Sequence, residues 1–122
     1  METISFAVVD SYTKTLPRVR AALANAGLEI AGEWDVTYDL RADYGVSLAP
    51  CRILTVYDPI KLLQNMVMDA SAALTGQVSV AVCEGGGHAR IFVRGSRSRL
   101  LDQVENALQL CGARHLAPVS AA

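Results

Sequence analysis

The segment Pro50-Cys51-Arg52-Ile53-Leu54-Thr55-Val56-Tyr57-Asp58-Pro59, running on into residues 60–74, constrains this chain more than any other. A β-prone run stops at Asp58 and a helix starts at once. Asp58 is a good N-cap, because its carboxylate accepts from the free amides of the first helical turn. Pro59 then sits where a missing N–H costs nothing and a fixed φ suits the helix start. Beyond it, Ile60, Leu63, Val67, Ala70 and Leu74 recur at helical spacing, with Lys61, Gln64, Asn65 and Asp69 on the other side. A strand that turns straight into an amphipathic helix requires a sheet, and the helix over 60–74 is expected to lie on it.

The remaining segments supply that sheet. Ile4, Phe6 and Val8 alternate with Ser5 and Ala7 as a first strand. Asp10, Ser11 and Thr13 offer capping groups to a helix with Leu16, Val19, Ala22 (or Leu23) and Ala26 inward, Pro17 in its first turn and Gly27 at its end. Leu28, Ile30, Trp34, Val36, Tyr38 and Leu40 then mark one face of a long strand, with Glu29, Glu33, Asp35, Thr37 and Asp39 on the other; Gly32 predicts a bulge. Trp34 and Tyr38 are therefore expected in the core. Residues 41–49 form a connecting loop. Val78, Val80 and Val82, then Ala89, Ile91 and Val93, form a β-hairpin around Glu84-Gly85-Gly86-Gly87. Because this glycine run joins two strands rather than a strand and a helix, it is no phosphate loop. Ser96 or Ser98 caps a last helix with Leu101, Val104, Leu108 and Cys111 inward and Gly112 at its end. The fold class is α+β: an open, mostly antiparallel sheet with helices on one face, order β-α-β-β-α-β-β-α. Residues 1–112 form one domain, and residues 113–122 read as a weakly structured tail.

One internal echo links the two ends. Leu16, Val19, Ala22, Leu23 and Gly27 reappear as Leu101, Val104, Ala107, Leu108 and Gly112, each 85 positions on. Phe6-Ala7-Val8 reappears as Ile91-Phe92-Val93 at the same displacement. Duplication of a strand–helix unit and simple likeness of two amphipathic helices account for this equally well.

Composition excludes several classes. A chain of 122 residues with 52% apolar and 19% charged residues builds one real core. A net charge of −1 argues against general nucleic-acid binding, which needs surplus Lys and Arg. Three dispersed cysteines make no disulfide framework and suit a reducing compartment. No window approaches about 18 uninterrupted apolar residues, so no membrane span is expected and the cytoplasm is the expected location.

Two constellations carry possible chemistry. Cys83 and His88 flank the triglycine turn, where a thiolate and an imidazole facing each other activate a nucleophile or hold a metal. Cys51, behind Pro50, reads first as packing, and Cys111 as structural. The second constellation is basic. His88, Arg90 and Arg94 share one side of their strand, and Arg97 and Arg99 follow at a helix N-terminus, a seat for phosphate, sulfate or carboxylate. The internal alternative is pairing of these arginines with the acidic side chains Glu29, Glu33, Asp35 and Asp39. The second face of the sheet carries the small groups Ser79, Ala81 and Cys83, which predicts cover by a second subunit.

Glu33-x-Asp35-Val36 followed by Leu40, then Arg52-Ile53-Leu54-x-Val56-x-Asp58-Pro59, then a helix with Leu63 and Asp69, resembles the family called domain of unknown function 302. The likeness runs from Phe6 to Arg94. It implies a compact α/β fold and dimerisation, and it implies no activity. Many members look like they carry a Pro-Cys pair entering the strand that here begins Gly76-Gln77-Val78, where this chain has no cysteine. The chain is accordingly read as a homodimeric binding or accessory module with a small-anion or small-ligand surface at His88, Arg90, Arg94, Arg97 and Arg99. No catalytic residue and no cofactor are assigned. The alternative is a thiol- or metal-dependent enzyme using Cys83 and His88, with Cys51.

Overall fold

In a computed structural model that describes residues 1–116, the alternating and periodic stretches become β1 (Glu2–Val8), α1 (Tyr12–Asn25), β2 (Glu29–Asp35), α2 (Val36–Tyr44), β3 (Cys51–Tyr57) and α3 (Pro59–Met68). There follow α4 (Ala72–Thr75), β4 (Val78–Gly85), β5 (His88–Gly95), α5 (Arg99–Leu110) and β6 (Arg114–His115). The strands form one six-stranded sheet in the order β2-β3-β4-β5-β1-β6, every neighbouring pair antiparallel. This is the α+β class expected, with three further elements, α2, α4 and β6. The chain does not stop being ordered at Gly112: Arg114 and His115 pair with β1, and Leu116 N–H donates to Ser5 O at 2.8 Å. Residues 117–122 of the expected tail lie outside the described residues.

The core occupies one face. Ile4, Phe6 and Val8, Leu54 and Val56, Val78, Val80 and Val82, and Ala89, Ile91 and Val93 all point to it and are buried. Leu16, Val19 and Leu23 of α1 and Leu101, Val104 and Leu108 of α5 close over them, and the two helices touch. Each fully buried side chain of this kind contributes about 1.5–3 kcal/mol.

The echo between the chain ends is geometric as well as sequential. Phe6 and Ile91, equivalent under the 85-residue shift, are also direct partners in the β1–β5 ladder. An approximate two-fold axis therefore passes between them. The equivalence reaches the caps: Leu28 N–H donates to Leu23 O and Ala113 N–H to Leu108 O, both at 3.0 Å. Each closure needs the left-handed residue before it, Gly27 at φ 78° and Gly112 at φ 98°.

Local chemistry explains the joins. Asp58 accepts from Ile60 N–H and Lys61 N–H, with Pro59 opening α3 as expected. Ser11 and Ser98 cap α1 and α5. The hairpin turn is tighter than Glu84–Gly87: β4 runs to Gly85, and only Gly86 and Gly87 turn, both at positive φ.

Three expectations are corrected. First, the strand expected over Leu28–Leu40 ends at Asp35. Its carboxylate accepts from Tyr38 N–H and starts α2, which stops at left-handed Gly45. Second, Trp34 and Tyr38 are not core; Trp34 is 52% exposed. The bulge expected at Gly32 is present, between Ile30 and Gly32, and an extra residue exchanges the two faces of a strand. Ile30 therefore faces the helices while Trp34 faces away, and Glu33 and Asp35 turn inward toward α1. Third, the helix expected over 60–74 breaks at Asp69, whose carboxylate accepts from the N–H and hydroxyl of Ser71 and competes with helix continuation. Nor does it lie on the sheet: α3 has no buried residue, with Ile60 70% and Val67 76% exposed. The face it was expected to cover is filled by α1 and α5.

The central pairing sets the mutational outcome. Ile91→Ala should destabilise by about 2–5 kcal/mol, Ser98→Ala by about 1 kcal/mol through the lost cap, and exposed Leu110→Ala by no more than about 0.5 kcal/mol. Urea denaturation of the three variants checks the ranking.

Candidate functional site

Period-two alternation sends every second residue of each strand to the face that no helix covers. Across it runs a row of direct partners, Trp34 (β2), Ile53 (β3), Ala81 (β4), Phe92 (β5) and Ser5 (β1). A second row runs Cys51 (β3), Cys83 (β4), Arg90 (β5), Ala7 (β1) and Arg114 (β6). None of these side chains is buried, and Trp34 Nε1–H donates to Asp39 Oδ2 at 2.7 Å.

This geometry divides the basic constellation. His88, Arg90 and Arg94 do share the open face, as their alternation predicted. The Arg90 guanidinium lies 5.7 Å from the Phe92 ring centre, a cation–π placement. Its stem crosses Gly85, where an added Cβ would come within 2.8 Å of Arg90 Cγ. Arg94 Nε–H points at Met1 Sδ at 3.1 Å, a weak acceptor. Arg97 does not join them: it is tied to Glu2, Asp102 and Glu105. Arg99 is on the helix side. It lines an open groove of about 670 Å³ with Asp58, Lys61, Gln103 and, from α4, Ala72 and Thr75. Five side chains adjacent in sequence thus serve three different places.

Arg114 replaces what is lost. It stands beside Ala7 on β6 while Arg90 stands beside Ala7 on β5. Strand spacing puts the two arginine backbones about 10 Å apart, with only a methyl group between them. Among the described residues, Arg90, Arg94 and Arg114 make no ion pair. Arg114 was hidden in the sequence because a two-residue strand leaves no alternation to detect. The small residue at position 7 was the available signal.

The thiol constellation is also rearranged. His88 is opposite Gly85, and Cys83 is opposite Arg90 on one side and Cys51 on the other. Among the described residues no hydrogen bond joins Cys83 to His88, whereas the sulfurs of Cys51 and Cys83 are 2.7 Å apart. Burial, then the contact with Cys51, pushes the Cys83 thiol up to about 12. Among the described residues no three His, Cys, Asp or Glu side chains gather as metal ligands. Cys111 sits at the α5 cap and donates to Leu108 O.

The pattern of the family described as "Domain of unknown function DUF302" matches residues 4–109. Among solved structures, the crystal structure of an uncharacterized conserved DUF302 protein from Bacillus stearothermophilus superposes with a TM-score of 0.70 at 18% identity. The superposition covers 92% of this chain and 96% of that one, and it bears on the fold. No curated protein matches the chain.

The acidic residues of β2 find partners other than the basic constellation. Glu33 takes Arg20 of α1 in a two-pronged pair at 2.6 and 2.8 Å, and Arg52 bridges Glu33 and Asp35. Glu29 accepts from Tyr57 Oη–H. Hydrogen bonding from Arg20 outweighs desolvation and holds the Glu33 carboxyl below its ordinary range. A depressed carboxylate stabilises the fold above its unfolded pKa, and that contribution disappears as pH falls through the folded value. Glu33→Gln should therefore lower stability at pH 7, by no more than about 1 kcal/mol for so accessible a pair. Denaturation well below about pH 4.3 should show the gap to the parent protein closed.

Proposed function

The chain belongs to the DUF302 family, and from that premise we propose that it is a homodimeric binding module whose open sheet face takes a small anionic ligand. The observation that carries this reading is the placement of Arg90 and Arg114 on either side of Ala7, without an acidic partner among the described residues. Guanidinium forks suit phosphate, sulfate or carboxylate, and the two arginine backbones flanking the Ala7 methyl leave room for one such group once the Arg90 side chain swings off Gly85 toward β1. Arg94 and His88 extend the basic surface along β5. The row Trp34, Ile53, Ala81 and Phe92 beside them offers an apolar seat for the rest of a ligand.

The second copy has a different seat from the one expected at Ser79 and Ala81. Large apolar side chains are exposed along α3 and α4, namely Ile60, Leu63, Val67, Met68 and Leu74. A self-complementary stripe of this kind buries itself against its own copy about a two-fold axis. Docking there leaves the basic face open.

Two measurements test the pair of statements. Millimolar phosphate, sulfate or citrate should raise the melting temperature of the parent protein, and Arg90→Ala/Arg114→Ala should abolish the rise. Equal shifts in both proteins would remove the anion site. Light scattering should give twice the 13.0 kDa chain mass, reduced to one chain by Leu63→Lys. A parent protein that runs as one chain would remove the dimer.

A further inference from the structure

We infer that Cys51 and Cys83 form a reversible dithiol–disulfide couple across β3 and β4, oxidised by low-molecular-weight disulfides. The register supports this before any chemistry is considered. The two residues are direct partners, and the flanking hydrogen bond runs from Glu84 N–H to Pro50 O at 3.0 Å. Pro50 and Glu84 thus hold the hydrogen-bonded site and the cysteines the neighbouring non-hydrogen-bonded one, where Cα atoms approach to about 4.5 Å. That spacing lies within the range a disulfide spans, about 4.4–6.8 Å. The sulfurs already touch at 2.7 Å, and bond formation needs a further approach of about 0.7 Å. Both side chains are half-buried on the uncovered face, so a small disulfide reaches them without unfolding.

The two thiols differ in role. The Cys83 thiol, held up by burial and by its neighbour, keeps its proton. Cys51 therefore attacks first. Its sulfur bonds to one sulfur of R–S–S–R, the R–S–S–R bond breaks, and R–S⁻ leaves and takes up the proton Cys51 gave to solvent. Cys83 then attacks the Cys51 sulfur, the mixed disulfide breaks, and a second R–SH departs with the Cys83 proton. Two electrons pass from the protein pair to the small disulfide, and excess thiol reverses both steps. Cys111 takes no part, being at the far side of the core on α5.

Reduced protein incubated with oxidised glutathione, then unfolded and counted, should fall from three free thiols to one. Peptide mapping should recover a single bridge, Cys51 to Cys83. Cys111→Ser should still lose two thiols, whereas Cys51→Ser and Cys83→Ser should form no internal bridge. A count that stays at three, a bridge that includes Cys111, or glutathione adducts without a bridge in the parent protein would each overturn the couple.

Discussion

The antiparallel pairing of β1 with β5 is the constraint on which the molecule depends. It joins the first strand to the last long one, so the sheet closes around its own centre rather than growing in chain order. Phe6 and Ile91 meet there, and the helices that follow each strand, α1 and α5, are brought side by side over the same face. Loop-closure entropy for so distant a contact is regained only by burying both helices together. Everything else is placed by what this pairing leaves free: β6 on the outer edge of β1, β2 at the opposite edge, and α3 with α4 outside the helical layer.

Much of this was legible in the residues, and the exceptions share a cause. The Asp58-Pro59 corner, the glycine turn, the Ser98 cap and the inward stripe of α5 are local signals, and each is where local chemistry demanded it. The bulge at Gly32 was legible too, but its consequence was not, because one inserted residue reassigns Glu33, Trp34 and Asp35 to the opposite faces. Asp35 is polar on either account, so nothing in the pattern distinguished a strand residue from the cap of α2. Helical spacing in residues 60–68 correctly announced a helix; spacing says that an apolar stripe exists and is silent on what meets it. That depended on α1 and α5 having already filled the sheet.

The candidate site failed and succeeded on the same logic. Alternation along β5 kept His88, Arg90 and Arg94 together, since period two survives any topology. Arg97 and Arg99 lie beyond the strand, where chain adjacency ceases to mean spatial adjacency; one is drawn to Glu2 and Asp102 and the other to the helix side. Conversely, Arg114 and Cys51 joined the face from distant parts of the chain through register alone. A site made of cross-strand partners is invisible to any argument from spacing, since it is a property of which strands pair.

The same register gives the row of Cys51, Cys83, Arg90, Ala7 and Arg114 an internal order. Cys83 lies directly between Cys51 and Arg90 in the ladder. The 32-residue separation of the cysteines spans all of β3, α3 and α4, and most of β4. A covalent bridge at its base would close the one excursion whose helices have no buried residue of their own. Such a clamp acts chiefly on the unfolded chain, by removing conformations it would otherwise gain, and so needs no change in the folded sheet. The exposed stripe of α3 would be presented at the same place in either redox state, while the sulfur beside Arg90 would lose its proton and its capacity to donate. Oxidation of the pair would thereby bear on the basic row through one residue, Cys83, with the sheet itself standing between it and the helical layer.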